Sequence, residues 1–244
     1  MTIFAIQIFV IMDKGKVFLG VCIFAGLTVL GIMLPKAASE FRSFERVVSV
    51  KGLCETETPA DKVIWPLSYK VVGDDISIVS AEIERKNQII KEFLKNGGID
   101  AAEITVSVPS ISDKFAQEYG SNDRVYRYVA TNTITLCTDK IQPVLDLMSS
   151  QSDLIKKDIV LSSDWDSQPQ FRFEGLNEIK PGMIEEATHN AREVALKFAK
   201  DSGSKLGKIK EATQGTFSIE DRDSNTPHIK KVRVVTYVTY YLKK

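Results

Sequence analysis

The sequence is poor in the side chains that most often carry metal or acid–base chemistry. It has two histidines, His189 and His228, and three cysteines in 244 residues. No G-x-S-x-G motif occurs, and neither Cys54 nor Cys137 has a histidine neighbour in sequence. We therefore expect no catalytic, cofactor-binding or metal-binding residues, no cofactor, and a protein that is not an enzyme.

The chain also has no excess of charge of either sign. Lys and Arg total 32, and Asp and Glu total 32. Asp13, Lys14, Lys16 and Lys36 are the only charges before residue 40, which leaves 29 basic and 31 acidic residues in the remainder. Without a basic field to attract phosphates, a nucleic acid partner is not expected.

One long apolar run stands out near the N-terminus. Val17 to Leu34 is an uncharged stretch of 18 residues, close to the roughly 20 that cross a hydrocarbon core. Lys14 and Lys16 precede it, which favours a cytoplasmic N-terminus and export of everything after about residue 37. Residues 1–38 are thus predicted to be a cytoplasmic tip and a transmembrane signal-anchor.

A cleaved signal peptide is the alternative interpretation of this run. The run is longer than a usual signal h-region, and Lys36-Ala37-Ala38 lacks the small residue wanted three positions before a cut. The first eleven residues are too short to span, and Met12 begins a more conventional start than Met1.

The exported part alternates between strand and helix patterns. FERVVSVKGLC and KVIWPLSYKVV predict a hairpin, although Pro66 favours a sheet edge or a bulge for the second strand. A helix from about Ser77 to Gly97 follows, and then two strands that end at Cys137. This first part has the order ββαββ.

The same order recurs further along the chain. Ile159 to Trp165 and Gln170 to Leu176 predict short strands, and a helix is predicted from about Pro181 to Ser202. Two strands around the loop DRDSNTP close the chain. The expected fold is α+β, with antiparallel sheets packed on helices in two ββαββ-like halves, about 44–138 and 157–242 of a domain over 39–244.

The second long helix carries the sequence's best candidate for a site, because Glu185, Glu186, His189 and Glu193 lie within one helical reach. Placed 100° apart on a helix, His189, Glu185 and Glu193 point away from the apolar arc. We interpret them as a solvated face, and a Glu-x-x-His metal pair is the alternative. The predicted buried arc consists of Ile184, Ala187, Ala191, Val194, Ala195 and Phe198, with Ala199 at its border, and Val194 and Phe198 are expected to supply most of its apolar area.

Two further motifs are interpreted as structural. Gly203 to Ile209 resembles a phosphate loop, but its glycine spacing is too short, no Ser or Thr follows Lys208, and it leads from helix to strand. A helix C-cap at Gly203 explains it better. Asp164 and Asp166 are interpreted as a solvated turn, with a catalytic carboxylate pair as the alternative.

Cys54 and Cys137 are the cysteines outside the apolar run. In an oxidising compartment they could be bridged, and two independent thiols explain them equally well.

Two stretches resemble a known family. They are RVVSVKGLCETETPADKVIWPLSYKVVGDD near the start of the exported part and KPGMIEEATHNAREVALKFAKDSGSKLGKIKEATQG around the second helix. Both resemble the SIMPL-domain family, also called DUF541, over roughly residues 44 to 242. Cys54 departs from the small or polar residues of many relatives.

The resemblance implies a bacterial envelope protein, periplasmic or anchored in the inner membrane by one helix, of α+β fold. The family includes oxidative-stress defence proteins and periplasmic immunogenic proteins, and some relatives form large ring-like assemblies. It has no established catalytic residues, so none are carried over to this chain.

The last strand is the sequence feature that favours self-association. Val232, Val234, Val238, Tyr240 and Leu242 occupy one face, and Val235, Tyr237 and Tyr241 make the other face apolar. Either a second copy covers the second face, or the strand is central between two layers of one chain. We expect a homo-oligomer linked to envelope or stress defence.

Two alternative functions remain. One is a small-molecule or peptide-binding module with a cleft between the halves, although the sequence does not name a ligand. The other is a redox enzyme that uses Cys54 and Cys137.

Overall fold

The computed structural model describes the backbone over residues 2–43, 46–116 and 125–243, and side chains over 15–36, 46–116 and 125–243. The chain mixes helix and antiparallel sheet, with 43% helix and 36% strand. The predicted α+β class is therefore confirmed. The described elements are α1 (Thr2–Ser43), β1 (Val47–Pro59), β2 (Lys62–Gly73), α2 (Ile76–Asn96), β3 (Ile104–Val106), β4 (Ser110–Asp113), β5 (Tyr128–Thr138), α3 (Ile141–Ser149), α4 (Ser152–Ile155), β6 (Gln170–Arg172), α5 (Leu176–Asp201), β7 (Lys205–Gln214), β8 (Ser218–Asp221) and β9 (Ile229–Lys243).

Helix α1 contains the apolar run. Its segment Gly15–Lys36 has 22 residues, a mean hydropathy of 2.6 and no burial against the rest of the protein. At 1.5 Å per residue such a segment is about 33 Å long, which matches the roughly 30 Å of a hydrocarbon core. By length and composition, this helix could cross a membrane once.

One predicted strand is absent among the described residues. Of Ile159 to Trp165, only Leu161 pairs with another strand, through an isolated bridge to Tyr69. The run is interrupted because Asp158 takes a left-handed φ of 61° just before it, and a 3-10 turn begins at Trp165. The second half therefore opens with β6 alone.

Packing divides the chain into two units, and β1, α5 and β9 each contribute residues to both. The division of residues 39–244 into sequence halves at about 44–138 and 157–242 stays a prediction. The first unit comprises Met1–Leu53, Ile184–Gly215 and Val235–Lys244, and the second comprises Cys54–Met183 and Thr216–Val234.

The second unit is built on a sheet with the strand order β3-β5-β2-β6, in which β4 also pairs with β5. Asp75 caps the N-terminus of α2, and its carboxylate accepts hydrogen bonds from the backbone N–H groups of Ser77 and Ile78. This cap satisfies donors that a helix N-terminus otherwise leaves unpaired. Alternate residues of β2 join apolar residues of α2 in one buried cluster, which includes Val63, Trp65, Leu67, Tyr69, Val79, Ile83, Ile90 and Leu94.

The sequence predicted that Pro66 would place β2 at a sheet edge or at a bulge, and neither is observed. Strand β2 pairs with β5 on one side and β6 on the other, and its register with β5 is unbroken at Pro66. The Ser68 carbonyl accepts from Ser162 on the side away from β5, and strand period places the nitrogen of Pro66 on that same side. Strand β6 pairs there with Lys62–Ile64 alone. Pro66 lies beyond the end of this ladder, so its missing N–H removes no bond from it.

The first unit packs α5 on a sheet with the strand order β1-β9-β7. Every fourth residue of the helix is a buried alanine, and Gly52 of β1 lies beneath this row. Residues spaced by four form one ridge along a helix, and methyl side chains allow a sheet to approach it closely. The row consists of Ala187, Ala191, Ala195 and Ala199.

The prediction for this helix was right about the alanines but wrong about Val194 and Phe198, whereas Ile184 is half-buried. Val194 and Phe198 are exposed, Phe198 by 57%. Because the backbone of the helix approaches Gly52, the contact admits methyl groups, and bulky side chains beside the row extend into solvent. The buried face is therefore narrower than the arc drawn from the sequence.

Candidate functional site

The face of α5 that carries His189 is exposed. His189, Glu185, Glu186 and Glu193 all lie on the solvent side of the alanine row. Among the described residues, no three His, Cys, Asp or Glu side chains come together as a metal would require. The arrangement is that of a hydrated helix face, on which residues spaced by four, such as His189 and Glu193, lie side by side in contact with solvent.

Cys54 and Cys137 lie in different surroundings, and neither forms a disulfide in the part of the chain that the structure describes. Cys54, at the start of the second unit's β1 segment, is 2% exposed. Cys137 lies on β5, is exposed, and faces Ile64 across the sheet. Reactive cysteines need access and an electropositive neighbourhood, and burial of Cys54 removes the first of these.

Asp164 and Asp166 lie in the exposed turn around Trp165. Trp165 is itself 84% exposed. Both carboxylates face water at the start of a three-residue 3-10 helix.

Gly203, with a left-handed φ of 65°, ends α5 and turns the chain into β7, which is the C-cap role predicted for it.

Among the described residues of the first unit, α5 packs on one face of the sheet, and side chains on the other face are partly exposed. Residues of β9 alternate, so that Val238 and Tyr240 are buried under α5 while Tyr237 is 45% exposed on the other side. Leu53 of β1 is 41% exposed, and strand alternation places it on the same side as Lys51. We call this surface the open face; it comprises Val47, Ser49, Lys51, Leu53, Val235, Tyr237, Thr239 and Tyr241.

Cross-strand contacts fix the geometry of the open face. Ser49 and Thr239 share a hydroxyl–hydroxyl hydrogen bond of 2.9 Å, and Lys51 Nζ lies 5.1 Å from the centre of the Tyr237 ring. The pairs run in opposite directions along β1 and β9, so these strands are antiparallel. The sequence indicated Val235, Tyr237 and Tyr241, but it missed Ser49 and Lys51, whose signal was their alternation in β1 with Val48 and Val50.

In the second unit, polar side chains form a closed network between α2 and the sheet. The Tyr69 hydroxyl lies 3.0 Å from the Ile83 carbonyl and 2.8 Å from Asn87 Oδ1, and Asn132 Nδ2 donates to that Oδ1 at 2.7 Å. Burial raises the pKa of Tyr69 above its usual value, and the hydrogen bond from Asn132 opposes that shift. The network is satisfied internally, so it fixes the helix on the sheet rather than offering groups to a ligand.

A cavity of about 640 Å³ opens elsewhere in the second unit. It lies where the C-terminal end of α2 meets α3 and α4, and Phe93 and Leu147 give it apolar walls. Its rim carries charges of both signs, including Asp146, Asp153 and Lys156. The volume is within the range of small-molecule sites.

These observations define a class of protein: an α+β domain of antiparallel sheets and helices, preceded by one apolar helix. The family model for SIMPL, described as a protein of unknown function (DUF541), matches residues 48–239. The chain belongs to the SIMPL family, and the resemblance found in its sequence is confirmed. No curated protein gives a significant match to the chain.

Proposed function

We propose that this chain is a non-enzymatic bacterial envelope protein, anchored in the inner membrane by α1 with its SIMPL domain in the periplasm, and that it self-associates. The observation that carries the proposal is the open face. Among the described residues of the first unit, α5 covers the opposite side of the sheet, while Leu53 and Tyr237 remain 41% and 45% exposed. Aromatic and aliphatic side chains grouped in this way favour a protein partner, and a second copy is the partner that we infer.

The proposed orientation rests on the residues around the span. Lys14 and Lys16 precede Gly15–Lys36 or lie at its start, and cations near the end of a first membrane helix favour retention of that end in the cytoplasm. The domain over 48–239 then follows on the exported side.

A link to envelope or oxidative-stress defence is supported by the family resemblance alone. The test is to compare the survival under peroxide of a deletion strain with and without the restored gene.

The decisive experiment measures the particle that the full chain forms. Membranes are first washed with alkaline carbonate and then extracted in mild detergent, and the protein mass is measured by light scattering. We expect retention in the washed membranes and a protein mass that is a multiple of 27.2 kDa. A monomer would exclude self-association, release by carbonate would exclude the anchor, and an intact mass lacking the N-terminal segment would favour a cleaved signal.

A second candidate is a binding module, which the cavity beside α2 favours. An amphipathic small molecule or short peptide could place apolar groups against Phe93 and Leu147, with polar groups towards Asp146 and Lys156. A thermal-shift screen of amphipathic compounds on the full chain tests this candidate. A hit whose shift disappears in Ser150→Trp, which fills the cavity, would support it, and a hit that is unaffected would place binding elsewhere.

A further inference from the structure

The chain has no net charge, but its two units differ in net charge. From Arg46 onwards, the first unit contains ten basic and five acidic residues, whereas the second unit contains 18 basic and 24 acidic ones. The unit that continues from the apolar helix is therefore the cationic one. A positive surface of this kind attracts anionic partners over distances of about a Debye length, roughly 8 Å at physiological salt.

The cations of the first unit gather at one end of its sheet, where β1 begins and β9 ends. Lys205 faces Lys243 across the β7–β9 pair, and the Leu242 N–H donates to the Arg46 carbonyl at 2.8 Å. Lys208 and Lys210 follow on β7. We call these five residues, Arg46, Lys205, Lys208, Lys210 and Lys243, the basic end.

The basic end has no acid partner within the part of the chain that the structure describes. All five side chains are exposed, and none forms an ion pair with a described residue. Like charges that face each other across strands, as Lys205 and Lys243 do, repel. An external anion would relieve that repulsion, whereas a second copy of this end would increase it.

Apolar side chains lie among these cations. Ile209, between Lys208 and Lys210, is 50% exposed, and Val47, next to Arg46, is 36% exposed. Lys210 Nζ lies 5.9 Å from the centre of the Tyr241 ring. Lysine, tyrosine and short apolar side chains together suit the boundary between water and lipid, where stems and rings contact acyl chains and charged heads contact phosphates.

The chain holds the basic end close to a bilayer. From Lys36, the end of the apolar span, to Arg46 there are ten residues. Seven of these continue α1 to Ser43, which adds about 10 Å, and three more steps add at most about 10 Å. Contact with lipid is then intramolecular, so a surface that binds weakly in free solution would be occupied at high effective concentration.

We propose that the basic end docks on anionic phospholipid headgroups of the same bilayer that α1 spans. This inference rests on the proposed anchor. The tether favours lipid over a soluble acidic protein, because it brings the basic end to headgroups whatever the protein's concentration. Docking would hold the first unit against the membrane at the start of β1, together with Val47 and Tyr241 at that edge of the open face, and would leave the rest of the open face, around Lys51 and Tyr237, to a second copy.

Lysine acylation tests the proposal on the full chain. The protein is reconstituted in nanodiscs of phosphatidylcholine alone or with 40% phosphatidylglycerol, labelled with a neutral amine reagent, and analysed by mass spectrometry. We expect Lys205, Lys208, Lys210 and Lys243 to react at least about fivefold more slowly with the anionic lipid, and 0.5 M NaCl to abolish the difference, since surface attraction is screened. Lys157 in the second unit should react equally in both lipids.

A charge variant assigns the effect to the basic end. In Lys205→Glu, Lys208→Glu, Lys210→Glu, the remaining Lys243 should react at the same rate in both lipids. The matched variant Lys70→Glu, Lys95→Glu, Lys157→Glu changes three exposed lysines of the second unit and should retain the protection of Lys243. Because the salt experiment uses the unaltered chain, it decides the question even if the first variant folds poorly.

The possible outcomes distinguish a failure of the docking proposal from a failure of the proposed membrane anchor. If the chain is embedded in both nanodiscs and Lys243 reacts equally in both, docking is excluded while the anchor stands. If the chain does not enter nanodiscs at all, both the anchor and the docking that depends on it are wrong. Protection that persists in phosphatidylcholine alone would indicate burial against a second copy and would also overturn the proposal.

Discussion

Gly52 of β1 and Ala187 of α5 are in such close contact that a Cβ atom on Gly52 would lie 1.8 Å from the Ala187 carbonyl oxygen. The same atom would lie 2.6 Å from the Ala191 nitrogen. Both neighbours are helix backbone, which cannot rotate away as a side chain could. We expect Gly52→Ala to lower the free energy of unfolding by about 3 kcal/mol or more, as overpacking in a core does.

Gly182→Ala is the matched control for that substitution. Gly182 lies within α5, and nothing approaches its added Cβ within 4 Å. Removing glycine from a helix interior should raise the free energy of unfolding by about 0.5 to 1 kcal/mol. Urea denaturation of both variants measures the two effects, and an unchanged stability in Gly52→Ala would mean that helix and sheet are further apart than described.

Self-association predicts a specific effect of Tyr237 on particle mass. Tyr237→Ser removes the central exposed ring of the open face and the partner of Lys51, so we expect the light-scattering mass in detergent to fall towards the monomer. Tyr126→Ser is the control, because Tyr126 is 46% exposed in the second unit, as Tyr237 is 45% exposed in the first. Equal masses for the two variants would remove the open face from any interface.

The buried network predicts a loss of stability in alkali. Burial raises the pKa of Tyr69 in the folded protein, so above about pH 10 the unfolded chain loses this proton first. The free energy of unfolding should be insensitive to this group below that pH and should then fall by up to about 1.4 kcal/mol per pH unit until the folded pKa is reached.

Tyr69→Phe should remove this part of the pH dependence. It should also lower stability at neutral pH by about 1 to 3 kcal/mol, because the Ile83 carbonyl and Asn87 lose a partner. Tyr126→Phe controls for tyrosine content in general. If the free energy of unfolding of both variants falls with pH as steeply as that of the unaltered chain, Tyr69 does not have a raised pKa in the folded protein.

Burial predicts different thiol reactivities for Cys54 and Cys137. The unfolded chain should titrate three thiols, Cys22, Cys54 and Cys137, in the same number with and without reductant. In the folded chain Cys54 should react at least about 100-fold more slowly than Cys137, because attack on a buried thiol requires local opening. A gain of two thiols on reduction would instead show a disulfide and would revive the redox hypothesis.

Much of this fold was accessible from the sequence because its signals are local. The Gly203 cap, the helix predicted from about Ser77 to Gly97 and the apolar span each depend on a few adjacent residues. The exposed position of His189 also followed from helical spacing alone. Such features are set by backbone geometry and solvation, which the neighbours in sequence largely determine.

The features that sequence reasoning missed depend on distant partners. Phe198 has the spacing of a core residue, and it is exposed because Gly52, almost 150 positions away, brings β1 against the helix. Proline is unfavourable in an interior strand, and Pro66 is tolerated in β2 because the short strand β6 ends before reaching it. The sequence alone does not show where β6 ends. The sequence did not indicate the basic end, because its cations are far apart along the chain. The acidic excess of the second unit also offsets their charge in the total.

The strand order β1-β9-β7 also determines when the first unit can form. Strand β1 is synthesised about 180 residues before β9, the strand that pairs with it. Contacts of such long sequence separation form slowly. During synthesis the backbone of β1 therefore stays unpaired until β9 has been made, and a chaperone that shields a strand edge would be of greatest use to this protein in that interval.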